Sequence, residues 1–162
     1  MKNGGIYEAK LDDLYQEMIL DHNKRPRNFG KLEDATAYAH GVNPLCGDDY
    51  HLYLKVGPDG LVGQIVFEGQ GCAISKSSAS LMTTVVEGKS VGEAAALKDG
   101  FIHLLTDETV SEAERLSLGK LKIFEGVKQF PIRVKCATLI WRALEAALKD
   151  RKAEVTTEGG KI

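Results

Sequence analysis

Residues 50–56 alternate strictly: Tyr50, Leu52, Leu54 and Val56 stand on one side of the count, and His51, Tyr53 and Lys55 on the other. A period of two places these sets on opposite faces of an extended chain, which predicts a strand buried on one face only. Gly57-Pro58-Asp59-Gly60 interrupts the pattern with turn residues, and Leu61 to Glu68 supplies a return strand. The middle of the chain is therefore expected to be an antiparallel hairpin, joined by a third strand from around Thr36 to Val42. Such a sheet has one apolar face and needs something to cover it.

The flanking segments carry the cover. Leu11, Leu14, Tyr15, Met18 and Ile19 recur at helical spacing, predicting a helix with one buried stripe that ends before Pro26. After Cys72, the spacing of Ile74, Leu81, Val85 and Val86 predicts a second helix, with Gly88 just beyond its end. Ser90-x-x-Glu93 is a capping-box pattern ahead of Ala94, Ala95, Ala96 and Leu97. One short helix is expected within Thr106 to Lys122. Pro131 opens the last helix, whose apolar face includes Ile132, Cys136, Leu139, Ile140, Ala143 and Ala147. Strands followed by helices, without βαβ alternation, indicate an α+β fold: a small antiparallel three-stranded sheet with helices packed on one face. A chain of 162 residues buries roughly two thirds of its unfolded surface as one core. A single domain is expected over residues 1–150, with 151–162 as a solvated tail.

Composition narrows the function classes. With 21 Lys+Arg against 23 Asp+Glu, the net charge is -2, without the basic surplus of a general nucleic-acid binder. No apolar run approaches the ~20 residues that cross a bilayer, and the polar start Met1 to Gly5 has no signal-peptide pattern. A cytoplasmic protein with neither nucleic-acid nor membrane partner is expected. In a reducing compartment the three cysteines, Cys46, Cys72 and Cys136, do not build a disulfide framework.

All three fall where elements begin or turn. Asn43-Pro44-Leu45-Cys46-Gly47-Asp48 joins two strands, and Gly47 permits the bend that aims Cys46 and Asp48 at a common point. Gly69-Gln70-Gly71-Cys72 leads from strand to helix, leaving the Cys72 thiol beside the free amides of a helix start, where a thiolate is favoured. Cys136 lies one turn into the last helix, and the nearby cations Arg133 and Lys135 are expected to lower its thiol pKa. Each cysteine is also a small hydrophobe, an alternative that weighs most for Cys136 on its apolar face. No Cys-x-x-Cys pair exists. Three thiolates with Asp48 suit tetrahedral zinc and also suit an iron-sulfur cluster, and ligand chemistry leaves both open.

At these residues the chain resembles the U-type iron-sulfur cluster assembly proteins, the family of IscU, SufU and the N-terminal part of NifU. The likeness starts near Leu11 and runs through Asn43-Pro44-x-Cys46-Gly47-Asp48, Gly69-x-Gly71-Cys72-Ala73-Ile74-Ser75 and Ala79-Ser80 to Lys135-Cys136-Ala137-x-Leu139-x-Trp141. Lys135 stands where IscU proteins carry histidine, and an extra segment falls within Gly100 to Phe130, so the chain looks like the SufU branch. The resemblance implies a zinc-dependent sulfur carrier rather than a stand-alone enzyme. Cys46, Asp48, Cys72 and Cys136 would be the metal ligands and Cys46 the acceptor of persulfide sulfur from a SufS-like cysteine desulfurase. Gly47, Arg133 and Lys135 would support the site, and downstream iron-sulfur scaffold proteins would take the sulfur onward. Two alternatives remain: a scaffold that assembles a [2Fe-2S] cluster on the same ligands, and a structural zinc protein.

The remaining polar residues read as less specific. His22, His40, His51 and His103 are scattered and expected at the surface or in loops, with His51, on the strand's polar face, the first candidate for a further ligand. Glu112, Glu114 and Arg115 form a solvated face. Ser75, Ser77, Ser78 and Ser80 start a helix, and Trp141 belongs to the core.

Overall fold

The computed structural model describes residues 3–158, with side chains from residue 13 onward. Helix α1 (Asn3–Lys24) is followed by strands β1 (Ala37–Asn43), β2 (Asp48–Val56) and β3 (Val62–Gln70), then helices α2 (Ala73–Val86), α3 (Val91–Thr106) and α4 (Glu112–Ser117). A 3₁₀ stretch (Gly119–Gln129), helix α5 (Pro131–Asp150) and strand β4 (Lys152–Thr156) complete the elements among the described residues. The expected hairpin is present, and β1–β2 and β2–β3 pair antiparallel.

The sheet nevertheless has four strands in the order β3-β2-β1-β4, and β4 pairs parallel with β1. Two expectations are corrected by this: the sheet is mixed and four-stranded, and Lys152–Thr156 is a strand rather than part of a solvated tail. The physical reason lies at the end of α5. Arg151 takes the left-handed conformation at φ 66° and closes the helix, and its carbonyl accepts the Tyr38 N–H at 2.8 Å, so the next residues fall onto the open edge of β1. Ala153 and Val155 pack against the core there.

One face of the sheet is sealed. Ala37, Ala39, Tyr50, Leu52, Leu54, Ile65 and Phe67 are each at most 1% exposed, and with α2 and α5 they form one hydrophobic cluster. At roughly 25 cal/mol per Å² of apolar surface, this burial is the main term favouring the fold. α1 ends before Pro26 as expected, with Tyr15, Met18 and Ile19 on the core; Leu14 is 49% exposed, so it leaves the expected stripe, and the side chain of Leu11 lies outside the described residues. Ser90 makes the full capping box with Glu93, and Pro131 opens α5. The segment after Thr106 holds α4 and then the 3₁₀ stretch, which buries Leu121, Ile123, Phe124 and Val127. Among the described residues no helix is long and apolar enough to cross a membrane.

His22 also departs from expectation. It is 9% exposed, and its Nδ1 lies 2.7 Å from Ser80 Oγ on α2. Burial first, and then the positive charge of Arg27, hold its pKa below the ordinary imidazole value. The unfolded chain therefore takes up a proton that the folded chain refuses, so stability from this group is complete above about pH 6.5 and is lost as the pH falls below it. Thermal melts between pH 7.5 and 5.5 are expected to show this decline, and His22→Gln to flatten it at a cost of about 1 kcal/mol at neutral pH.

Candidate metal centre

The strand period that buries Tyr50 and Leu52 also turns Asp48 and Asn43 inward, so a carboxylate and an amide enter the core at the end of the sheet. Asp48 is 2% exposed and Asn43 is fully buried. Both are satisfied. Asp48 Oδ1 accepts the Cys72 N–H at 3.0 Å and the Ser75 hydroxyl at 3.0 Å, while Oδ2 accepts the Asn43 amide at 3.0 Å. The same amide reaches Cys136 Sγ at 3.4 Å, and Asn43 Oδ1 accepts the Thr157 hydroxyl at 2.9 Å. Strand β4 thus reaches the centre through the residue that follows it.

The turn between β1 and β2 carries Cys46, which is exposed; Gly47 at φ 74° makes the bend that a side chain would strain. One thiolate-capable sulfur from this turn, one from α5 and the Asp48 carboxylate meet: the ligand atoms of Cys46, Asp48 and Cys136 all lie within 4.8 Å of one another. Cys72 stands beside this trio as the N-cap of α2, its Sγ accepting the Ser75 N–H at 3.4 Å, and is not one of the three donors grouped within 4.8 Å. Donors therefore arrive from a turn, a strand end and two helix starts. Soft sulfur with one hard oxygen is the donor chemistry of zinc and of iron-sulfur clusters, so the residues fit such a group.

The electrostatics point the same way. Burial, followed by contact with Cys46 and Asp48, pushes the Cys136 thiol pKa up, which reverses the expected lowering by nearby cations. Those cations are engaged elsewhere: Arg133 lies over the Phe130 ring at 4.8 Å, and Lys135 Nζ bonds Glu158 at 2.5 Å. A cavity lined by two sulfurs and a carboxylate cannot hold several negative charges unless a cation joins them. His51 is excluded as a ligand here, because the strand period turns it to the opposite face from Asp48.

Sequence reasoning missed the supporting shell. Tyr50 reads as a core aromatic, yet its hydroxyl lies 3.0 Å from Ser75 Oγ, and burial keeps the phenol neutral by raising its pKa. Asn43 reads as a turn residue, although its inward register, shared with Asp48, is a signal that it needs buried partners. Gly71 is fixed by space: a Cβ there would lie 2.5 Å from both Asp48 Oδ1 and Ser75 Oγ, and 2.7 Å from the Tyr50 hydroxyl. Gly71→Ala is expected to lower metal affinity at least ~10-fold through displacement of Asp48, and to cost about 1–3 kcal/mol of stability. Competition with a chromophoric chelator and urea unfolding measure the two effects.

The model of the NifU-like N terminal domain family matches residues 14–137. The chain is 39% identical over 154 residues to the zinc-dependent sulfurtransferase SufU of Bacillus subtilis, covering 95% of this chain and 98% of that protein. It is 42% identical over 139 residues to the iron-sulfur cluster assembly scaffold protein IscU of Thermotoga maritima, covering 84% and 93%. The crystal structure of the N-terminal part of a nitrogen-fixing NifU-like protein from Brucella abortus superposes with a TM-score of 0.74 at 27% identity, covering 86% of this chain and 94% of that one.

Proposed function

Because the chain belongs to the NifU-like N-terminal domain family, in which SufU and IscU are its relatives, we propose that it accepts sulfur from a cysteine desulfurase at a zinc site. Cys46, Asp48, Cys72 and Cys136 hold the ion. The observation that carries this reading is the meeting of the Cys46 and Cys136 sulfurs with the buried Asp48 carboxylate within 4.8 Å. The zinc-dependent relative covers nearly the whole chain and supports the choice of metal.

Bound zinc supplies one thing, stabilisation of thiolates at neutral pH. The rest is done by the protein. Cys46 is the exposed thiol, whereas Cys136 is 2% exposed, so Cys46 is the one a partner can reach. Its thiolate attacks the outer sulfur of the persulfide on the desulfurase. A new S–S bond forms on Cys46, the old one breaks, and the desulfurase cysteine leaves as a thiolate that takes up a proton. Gly47 lets the turn move during this approach. Asn43, Ser75 and the Cys72 N–H hold the Asp48 carboxylate in place. Lys135 Nζ is taken up by Glu158 at 2.5 Å, so Lys135 is not counted among the ligands. Iron-sulfur scaffold proteins then receive the sulfur.

The identity with IscU favours a second reading, assembly of a [2Fe-2S] cluster on the same donors. One assay separates the two. With a SufS-like desulfurase and cysteine, added protein is expected to raise turnover and to acquire sulfane sulfur. A brown cluster without faster turnover supports the scaffold, and unfolding on chelation with neither activity supports a structural ion.

A further inference from the structure

The sheet has a second face, and the polar residues of the central hairpin are collected on it. His40 of β1 and His51 of β2 are directly opposed in the antiparallel register, and Asp49 precedes His51 by two residues on the same face. Their rings lie 4.4 Å apart and only 4° from parallel. His40 Nε2 is 2.7 Å from Asp49 Oδ1, and His51 Nε2 is 3.9 Å from the same oxygen. One ligand atom from each of the three residues falls within a 4.8 Å group.

A hydrogen-bonded His–Asp pair explains the shorter distance only. At 3.9 Å, His51 Nε2 is beyond hydrogen-bond reach of the carboxylate, yet it faces the same oxygen as its neighbour. Ligand atoms about 2.1 Å from a shared ion stand roughly 3.0–3.4 Å apart, and the two observed separations bracket that range. The other nitrogen of His51 is also arranged for ligation: Nδ1 lies 2.5 Å from the Tyr38 hydroxyl, which can accept its N–H and so leave the lone pair on Nε2. Glu154 is opposed to His40 on β4, and Glu68 is opposed to His51 on β3, so a row of carboxylates flanks the histidines across the sheet.

We propose that His40, Asp49 and His51 form a second metal site, on the polar face of the sheet and separate from the thiol centre, that binds a divalent first-row transition ion. Two imidazoles and one carboxylate suit zinc, iron, cobalt or nickel, and they do not suit the hard ions magnesium and calcium. The side chains are 24%, 49% and 35% exposed, so the ion keeps open positions occupied by water and exchanges readily. The site does not depend on the function of the thiol centre, since it shares no donor with it.

The probe is Co²⁺, titrated into metal-free full-length protein and into the Cys46→Ser variant. Cobalt in the thiol centre gives intense sulfur-to-metal absorption, whereas cobalt on nitrogen and oxygen gives weak bands only. The expected result is one equivalent of the weak-band kind in both proteins, with paramagnetic broadening of the His40 and His51 ring signals while those of His103 persist. His40→Gln and His51→Gln are each expected to weaken this equivalent at least ~10-fold without changing the circular dichroism of the metal-free protein. The proposal is overturned if no such equivalent appears, or if it binds both histidine variants as it binds the wild type.

Discussion

Cys136→Ser is expected to weaken zinc binding by at least ~100-fold while leaving the metal-free fold largely intact. The effect is large because this sulfur is the buried one, 2% exposed, and is held by the Asn43 amide at 3.4 Å. Burial raises its pKa, so the thiolate is favoured only when a cation shares the cavity. Serine keeps the small polar volume but offers a hard hydroxyl that does not ionise. Stability should follow the metal: at a free zinc concentration about 100 times the wild-type Kd, bound ion adds about 2.7 kcal/mol to the folded state, and the variant should lose most of that increment. The sign with pH is fixed too, because thiolate ligation releases protons and zinc affinity must fall as the pH is lowered. Chelator competition and melting with and without zinc check these outcomes. Equal affinity in wild type and variant would remove Cys136 from the ligand set.

Trp141→Ala is expected to cost about 3–5 kcal/mol, a large part of the stability of a domain of this size. Trp141 is fully buried and lies against Phe101 of α3, with ring centroids 4.9 Å apart and planes at 22°; Phe101 meets Phe124 edge-on at 5.8 Å. Its Nε1 donates to Ser78 Oγ at 3.2 Å, and that hydroxyl donates to the Ala137 carbonyl at 2.6 Å. One side chain therefore joins α5 to α2 and α3, and Ala137 is the neighbour of Cys136. Truncation leaves a cavity and frees the Ser78 oxygen of a partner. Urea unfolding measures the loss, and a cost below about 1 kcal/mol would show that the helices close over the gap.

The features legible in the amino-acid sequence are local ones. The period of Tyr50 to Val56 locates β2 because side chains alternate by geometry, and Ser90-x-x-Glu93 locates the start of α3 because a capping box is a local bond pattern. The cysteines are legible for the same reason: each sits at a turn or helix start that its neighbours in sequence define. Strand β4 is not. Lys152–Thr156 carries only two apolar residues, and its pairing depends on α5 carrying the chain back to β1, a contact across more than a hundred positions that no window contains. The tie between Thr157 and Asn43 is of the same kind. The direction of the Cys136 pKa shift is hidden because Arg133 and Lys135 are close in sequence, whereas in space Phe130 and Glu158 hold them. Likewise, His40 and His51 look scattered along the chain and become a pair only through strand register.

The central claim, that Cys46 takes sulfur at a metal-bound centre, is tested most directly by locating the added sulfur. Zinc-loaded protein is incubated with a SufS-like desulfurase and cysteine, alkylated, digested and mapped by mass spectrometry, beside Cys46→Ser and Asp48→Ala. The expected result is one added sulfur on Cys46 in the wild type and none in Cys46→Ser. Asp48→Ala should retain the fold but show reduced loading that tracks its weaker zinc binding. Sulfur on Cys136 alone, or equal loading of wild type and Cys46→Ser, would contradict the account.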